Sequence, residues 1–135
     1  MMDNLSAISS KTRVLIVDDK AEMRHVFENM LYFEDDLLVV GAAENGQEAI
    51  EKTQELVPDV ILMDVEMPVL DGIQATQQIR KNYPGIVIIN VSSEMRHKSL
   101  AIMAGAADYL LKPFSTDEVI EAIHRALETH SQKVS

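Results

Sequence analysis

Asp18 and Asp19 close the apolar run Val14-Leu15-Ile16-Val17, and Asp64 closes a second run, Val60-Ile61-Leu62-Met63, about forty-five residues later. Each run has the length and branching of a buried strand, so each delivers carboxylates at its C-terminal end. In an open parallel α/β sheet those ends share one rim, which is where ligands bind. Carboxylates gathered there repel one another and call for a cation. A set of hard oxygen donors suits Mg²⁺, or Mn²⁺ in its place. An aspartate whose charge is masked by such an ion can accept a phosphoryl group that it would otherwise repel. Phosphoryl acceptance at an aspartate is the chemistry that these residues suggest.

The elements that must bring them together are legible in the patterning. Short apolar runs alternate with segments of helical period, without an internal repeat or a low-complexity tract, as in an α/β fold. A polar N-terminal tail is expected over 1–11, a single domain over 12–130 and a C-terminal tail over 131–135. The first strand is expected at 13–17. Met23, Val26, Phe27, Met30 and Leu31 follow at i, i+3, i+4, i+7 and i+8, which predicts a buried helical stripe. A second strand is expected at 37–43. The turn Glu44-Asn45-Gly46 then leads into a helix carrying Ala49, Ile50, Thr53 and Val57, ended by Pro58. The third strand begins at Val60, a helix spans 72–82 ahead of Pro84, and a fourth strand covers 86–91. A fourth helix carries Leu100, Met103 and Ala104, and a short fifth strand covers 108–111. Ser115 and Glu118 form a capping box for a last helix with Val119, Ile120, Ile123 and Leu127 on its buried face. Five such units in so short a chain favour a doubly wound sheet in a three-layer α/β/α sandwich. A closed eight-stranded barrel needs roughly 250 residues.

Composition narrows the classes of function. The chain has 135 residues, 47% of them hydrophobic, enough for one independently folding core. With 12 basic against 22 acidic residues, the net charge of -10 argues against direct contact with nucleic acid. The absence of cysteine removes disulfides and thiolate metal sites. No apolar stretch approaches the ~20 residues that span a bilayer, and Met1-Met2-Asp3-Asn4 lacks the order of a signal peptide. No membrane contact and a cytoplasmic location are therefore expected.

Taken in order, several segments resemble the receiver domain of two-component response regulators, in particular the single-domain chemotaxis type. They are Val14 through Asp19, Pro58 through Pro68 with Asp71-Gly72, Ser92 at the end of the fourth strand, and Lys112-Pro113-Phe114 after the fifth. The resemblance covers about residues 13–128. It implies a flavodoxin-like sheet of order 2-1-3-4-5, with Asp18, Asp19 and Asp64 at its switch point. It also implies that a sensor histidine kinase or a histidine phosphotransfer protein donates a phosphoryl group from phosphohistidine to Asp64. The receiver would catalyse its own phosphorylation and dephosphorylation without being a conventional turnover enzyme. Asp19, Asp64 and the backbone carbonyl of Glu66 would hold Mg²⁺, with Asp18 acting mostly through bound water. Lys112 would set a fixed positive charge against the phosphoryl oxygens. The Ser92 hydroxyl would donate to one of them, drawing the next loop inward and opening space for Tyr109 to turn in. The surface of the fourth helix, fifth strand and fifth helix would then shift, to be read by an unidentified downstream protein or output domain.

Blander readings stand beside these. Asp18 alone would serve as a helix N-cap, but that explains neither Asp19 nor Asp64. Asp71-Gly72 reads as a turn and helix start, Lys112 as a solvated lysine, and Tyr109 as a half-buried packing aromatic. The resemblance implies a cis Lys112-Pro113 bond. His25, His97, His124 and His130 lack metal-ligand spacing and read as solvated, and the eight methionines as adaptable filler, with Met95 and Met103 on the presumed partner face. Ser93 replaces a usual alanine, and Glu66 and Glu94 occupy the variable flanking positions that tune phosphoryl lifetime; the sign of their effect is left open. Ala107 stands where receivers that dimerise through this face typically carry an acid, so a homodimer is not favoured. The chain stands alone or is cut from a longer regulator; both remain open. Two rival functions are a phosphorylation-independent protein-binding module and an Mg²⁺-dependent aspartyl-phosphate phosphohydrolase. The full acidic set opposes the first, and Lys20 after Asp18-Asp19, in place of an Asp-x-Asp motif, opposes the second. No Gly-rich loop follows the first strand, which disfavours nucleotide binding.

Overall fold

Val, Ile and Leu fill most positions of the three inner strands, as burial on both faces of a parallel sheet requires. The computed structural model describes residues 11–134; of the tail expected over 1–11, residues 1–10 lie outside the described residues, as does Ser135. The elements run β1 (Thr12–Val17), α1 (Ala21–Tyr32), β2 (Leu37–Ala43), α2 (Gly46–Leu56), β3 (Val60–Asp64), α3 (Gly72–Asn82), β4 (Val87–Ser92), α4 (Lys98–Ala104), β5 (Asp108–Leu111) and α5 (Thr116–Val134). A single 3-10 turn, Met95–His97, precedes α4. All five strands are parallel, in the order β2-β1-β3-β4-β5. This is the doubly wound, flavodoxin-like arrangement expected from the sequence.

The two faces of the sheet carry separate cores. Val14, Ile16, Leu62 and Ile89 pack with Phe27 and Leu31 of α1 and with Val119 and Ile123 of α5. Leu15, Ile61 and Ile88 pack with Ala49 of α2 and with Ala75 and Ile79 of α3. Phe27 and Phe114 stack with centroids 5.5 Å apart, tying α1 to the segment that follows β5. Helix starts follow their caps: the Asn45 side chain accepts the Glu48 N–H, and Asp71 forms a capping box with Gln74. Ser115 and Glu118 exchange two bonds of 3.1 Å, the capping box read from the sequence.

Four details differ from expectation. The fourth strand starts at Val87, because the Ile86 N–H closes a turn on the Tyr83 carbonyl; Ser92 is thereby the last strand residue. Val26 is 40% exposed, since α1 buries a narrow stripe centred on Phe27 and Leu31 with Met23 and Met30 at its margins. Val57 is not on the apolar face of α2: it is the exposed C-cap, in the left-handed region at φ 45, ahead of a proline that disfavours helical backbone. As expected, the fourth helix carries Leu100 and Met103, which face outward, Met103 on the presumed partner face, while Ala101 anchors it. At the C-terminal end, α5 continues to Val134, through the segment expected as a tail.

The junction of β3 with α3 leaves no space for a side chain. A Cβ on Gly72 would lie 2.0 Å from the carbonyl oxygen of Asp64, and the Gly72 N–H donates to the Val65 carbonyl at 2.9 Å. The first turn of α3 is thus pressed directly onto the end of β3. Gly72→Ala is expected to destabilise the protein by about 1–3 kcal/mol through overpacking and to lower the thermal midpoint by several degrees, followed by circular dichroism. Gly85→Ala, where a Cβ meets nothing within 4 Å, should leave the midpoint nearly unchanged.

Candidate functional site

Strand register builds the site. Val17 pairs with Met63, so the next residues, Asp18 and Asp64, leave neighbouring strands side by side. On the other flank Asp64 pairs with Val91, and Ser92 pairs with Leu111, which brings Lys112 alongside. The Lys112 N–H donates to the Ser92 carbonyl at 2.8 Å, extending the ladder by one bond, and the Lys112-Pro113 peptide is cis.

One carboxylate oxygen from each of Asp18, Asp19 and Asp64 lies within 4.8 Å of the others. Asp18 and Asp64 are buried and Asp19 is exposed. Lys112 Nζ sits 3.7 Å from Asp64 Oδ1 and 3.8 Å from Asp18 Oδ2, a Coulombic pairing. Asp18 Oδ1 accepts the Lys20 N–H at 2.9 Å, and the Asp18 carbonyl accepts from the Arg24 guanidinium. Asp18 Oδ2 has no hydrogen-bond partner among the described residues. A buried carboxylate oxygen without a donor is costly. Three oxygen-donor carboxylates, one nearby ammonium and that orphaned atom together fit a hard divalent cation.

Burial is the main reason that the Asp64 carboxyl is pushed up to about 7; Lys112 opposes the rise, and Asp18, Glu66 and Asp19 add to it. Burial also raises Asp18, against the Lys20 N–H and the Lys112 charge.

A second constellation flanks the first. The Ser92 hydroxyl is buried, donates to Glu66 Oε1 at 2.7 Å and accepts the Glu94 N–H at 3.0 Å. Tyr109 is already turned in, buried against Val65, Ala101 and Ala106, and its hydroxyl donates to the Glu94 carbonyl. Burial raises the Tyr109 phenol above its ordinary value. The Glu94 carboxylate accepts from Arg96, which holds it below the usual range, and lies 3.0 Å from His97 Nε2. Glu66, Glu94 and His97 offer ligand atoms within 4.8 Å of one another. His97 was not legible as part of this group; the i, i+3 spacing from Glu94 was its one signal. Ser93 is exposed. His25 and His124 are exposed, as expected, and pair with Glu28 and Asp36. Beside the aspartates opens a groove of about 710 Å³, lined by Asp19, Glu66, Met67, Asp71, His97 and Leu100 among others.

Comparison with known proteins follows the same outline. The family model described as the response regulator receiver domain matches residues 14–124. The chain is 43% identical over 118 residues to the chemotaxis protein CheY of Bacillus subtilis, covering 85% of this chain and 97% of that protein. It is 43% identical over 106 residues to a protein-glutamate methylesterase/protein-glutamine glutaminase of Syntrophomonas wolfei, covering 76% of this chain and 30% of that protein. The chain thus spans about a third of the methylesterases it matches and nearly all of CheY. The crystal structure of the response regulator domain of Thermotoga maritima CheB superposes with a TM-score of 0.81 at 40% identity, covering 87% of this chain and 97% of that one.

The raised Asp64 value has a consequence for stability. The folded carboxyl keeps its proton to about pH 7, whereas the unfolded one releases it near 3.8. Folding therefore takes up a proton between those values, and this contribution to stability is lost as pH rises through the window. In the absence of divalent metal, Asp64→Asn is expected to be more stable than the wild type at pH 8, with the gain shrinking as pH falls toward 4. Urea unfolding at the two pH values measures it; a gain independent of pH would contradict the assignment.

Proposed function

The chain belongs to the response regulator receiver family, and on that premise we propose that Asp64 is its phosphoacceptor, charged by a sensor histidine kinase or a histidine phosphotransfer protein. The observation that supports this most directly is the meeting of Asp64 with Asp18, Asp19 and Lys112 on one rim. An Asp64 carboxylate oxygen attacks phosphorus in line; the P–O bond forms as the P–N bond to the donor imidazole breaks, and the imidazole keeps the electron pair and takes up a proton. Asp19, Asp64 and the Glu66 backbone carbonyl would hold Mg²⁺ directly, and Asp18 mostly through water. Bound there, the ion would offset the charge of the carboxylates and of the incoming phosphoryl oxygens. Lys112, already 3.7 Å from Asp64 Oδ1, contributes a fixed positive charge on the opposite flank.

Ser92 and Tyr109 carry the response. The Ser92 hydroxyl is held by Glu66, so a phosphoryl oxygen must draw it away from that carboxylate. Tyr109 already bonds the Glu94 carbonyl, so phosphorylation strengthens an inward arrangement that exists beforehand. The readable surface is that of α4, β5 and α5, where Met95, Leu100 and Met103 are exposed. A downstream protein or output domain reads it by binding the two states with different affinity. No helix among the described residues is long and apolar enough to cross a membrane, and a cytoplasmic location completes this reading.

Intact mass after incubation with Mg²⁺ and a small acyl or amido phosphate donor tests the proposal. We expect a labile addition of about 80 Da, the mass of one phosphoryl group, that disappears in Asp64→Ala and without metal. No addition with any donor would point to a phosphorylation-independent binding module, and sustained turnover of a phosphate ester to a phosphohydrolase. A second measurement concerns Glu66. Glu66→Ala frees the Ser92 hydroxyl for the phosphoryl oxygen and removes a negative charge beside it, so loss of the phosphoryl group is expected to slow several-fold. Decay as fast as in the wild type, or faster, would refute the competition.

A further inference from the structure

Asn90 occupies the interior of β4, where every other residue except the terminal Ser92 is apolar, and it is fully buried. Strand alternation sets it with Ile88 and Ser92 on the face covered by α2 and α3. A leucine or valine would fill that space without the desolvation that a buried amide suffers, so the partners of the amide are informative. Its Nδ2 donates to the carbonyl of Met63, the residue before Asp64, at 3.2 Å. Its Oδ1 lies 3.3 Å from Thr76 Oγ1, itself fully buried on α3. Thr76 Oγ1 also reaches the Gly72 carbonyl at 2.7 Å, and Gly72 is the residue pressed onto the Asp64 backbone. The single Thr76 hydroxyl proton is shared between two acceptors, the nearer Gly72 carbonyl and Asn90 Oδ1, and through this three-centre contact the backbone just before Asp64 is linked, by way of Asn90 and Thr76, to the backbone that closes over Asp64 from the other side. Asn90 shares its strand with Ser92, two residues on, so the same brace links both reacting edges of the rim.

We propose that Asn90, acting with Thr76, is a positioning residue for phosphoryl transfer. It touches no reacting atom; it fixes the end of β3 against the start of α3 so that the Asp64 carboxylate meets the incoming phosphorus in line. Such alignment matters because a misplacement of about 1 Å reduces a rate on the order of 100-fold. The proposal rests on Asp64 as phosphoacceptor and goes further by naming what aims it.

The test uses the full chain with Mg²⁺ and a small amido phosphate donor, comparing wild type, Asn90→Leu, Thr76→Val and the double variant. Asn90→Leu should lower the maximal phosphorylation rate at least tenfold while changing the half-saturating donor concentration little, with the thermal midpoint maintained or raised. Thr76→Val should lower the maximal rate about threefold. The double variant should be no slower than Asn90→Leu alone, because both substitutions cut the same chain of bonds. Wild-type rates in both single variants would overturn the proposal, as would slowing that is additive and tracks a falling midpoint. Should Asn90→Leu fail to fold, Thr76→Val decides: a wild-type rate overturns the proposal and a reduced rate at an unchanged midpoint supports it. A wild-type protein that accepts no phosphoryl group overturns the phosphoacceptor reading, and this proposal with it.

Discussion

Two aspartates are buried with like charge at the ends of adjacent strands, and the rest of the site is arranged around the repulsion and desolvation that this entails. Among the described residues Lys112 supplies the one ammonium within 4 Å of both, and Asp18 turns one oxygen onto a backbone N–H while its other finds no donor there. Burial, aided by the neighbouring acids and opposed by Lys112, pushes the Asp64 carboxyl up to about 7. The sheet order serves the same constraint, since only a β1 placed beside β3 brings Asp18 and Asp64 together. Gly72 and the capping box at Asp71 then hold the following helix tightly against the strand that ends in Asp64.

Strands, caps and the acidic cluster were legible because each is written in local signals: runs of branched apolar residues, a Ser-x-x-Glu spacing, aspartates at strand ends. The errors came where a period had to stand for a partner. Val26 and Val57 fit the helical spacing but face solvent, because the width of a buried stripe depends on what packs against it and Pro58 forces the backbone out of the helix before Val57 can complete the face. The bond of Ser92 to Glu66 joins residues 26 apart, and that of Asn90 to Met63 joins residues 27 apart. Neither leaves a trace in periodicity. The resemblance marked Tyr109 as an aromatic beside the site, but its inward setting follows from Glu94, Ala101 and Ala106, which only the fold assembles.

The same scaffold accounts for nearly the whole of one relative and for about a third of another. The scaffold thus occurs both nearly by itself and as one part of a longer chain. Several polar contacts flank the site. Glu66 claims the hydroxyl of Ser92, Glu94 is engaged by Arg96 and His97, and Asn90 braces the strand beneath. All of these contacts lie beside the carboxylate cluster and leave the strand order and the cores unchanged.

Lys112 follows the last strand, whereas Asp18 follows the first. A ribosome delivers the chain from its N-terminus, so all three carboxylates are synthesised before the ammonium that faces two of them. Until β5 docks on β4, nothing fixes Lys112 against Ser92 and the carboxylates. The final crossover of the sheet is thus also the step that completes the site, and a nascent or partly folded chain has the acids without their counter-charge. The cluster at Asp64 is accordingly complete only after the chain has been made through Lys112 and β5 has paired with β4.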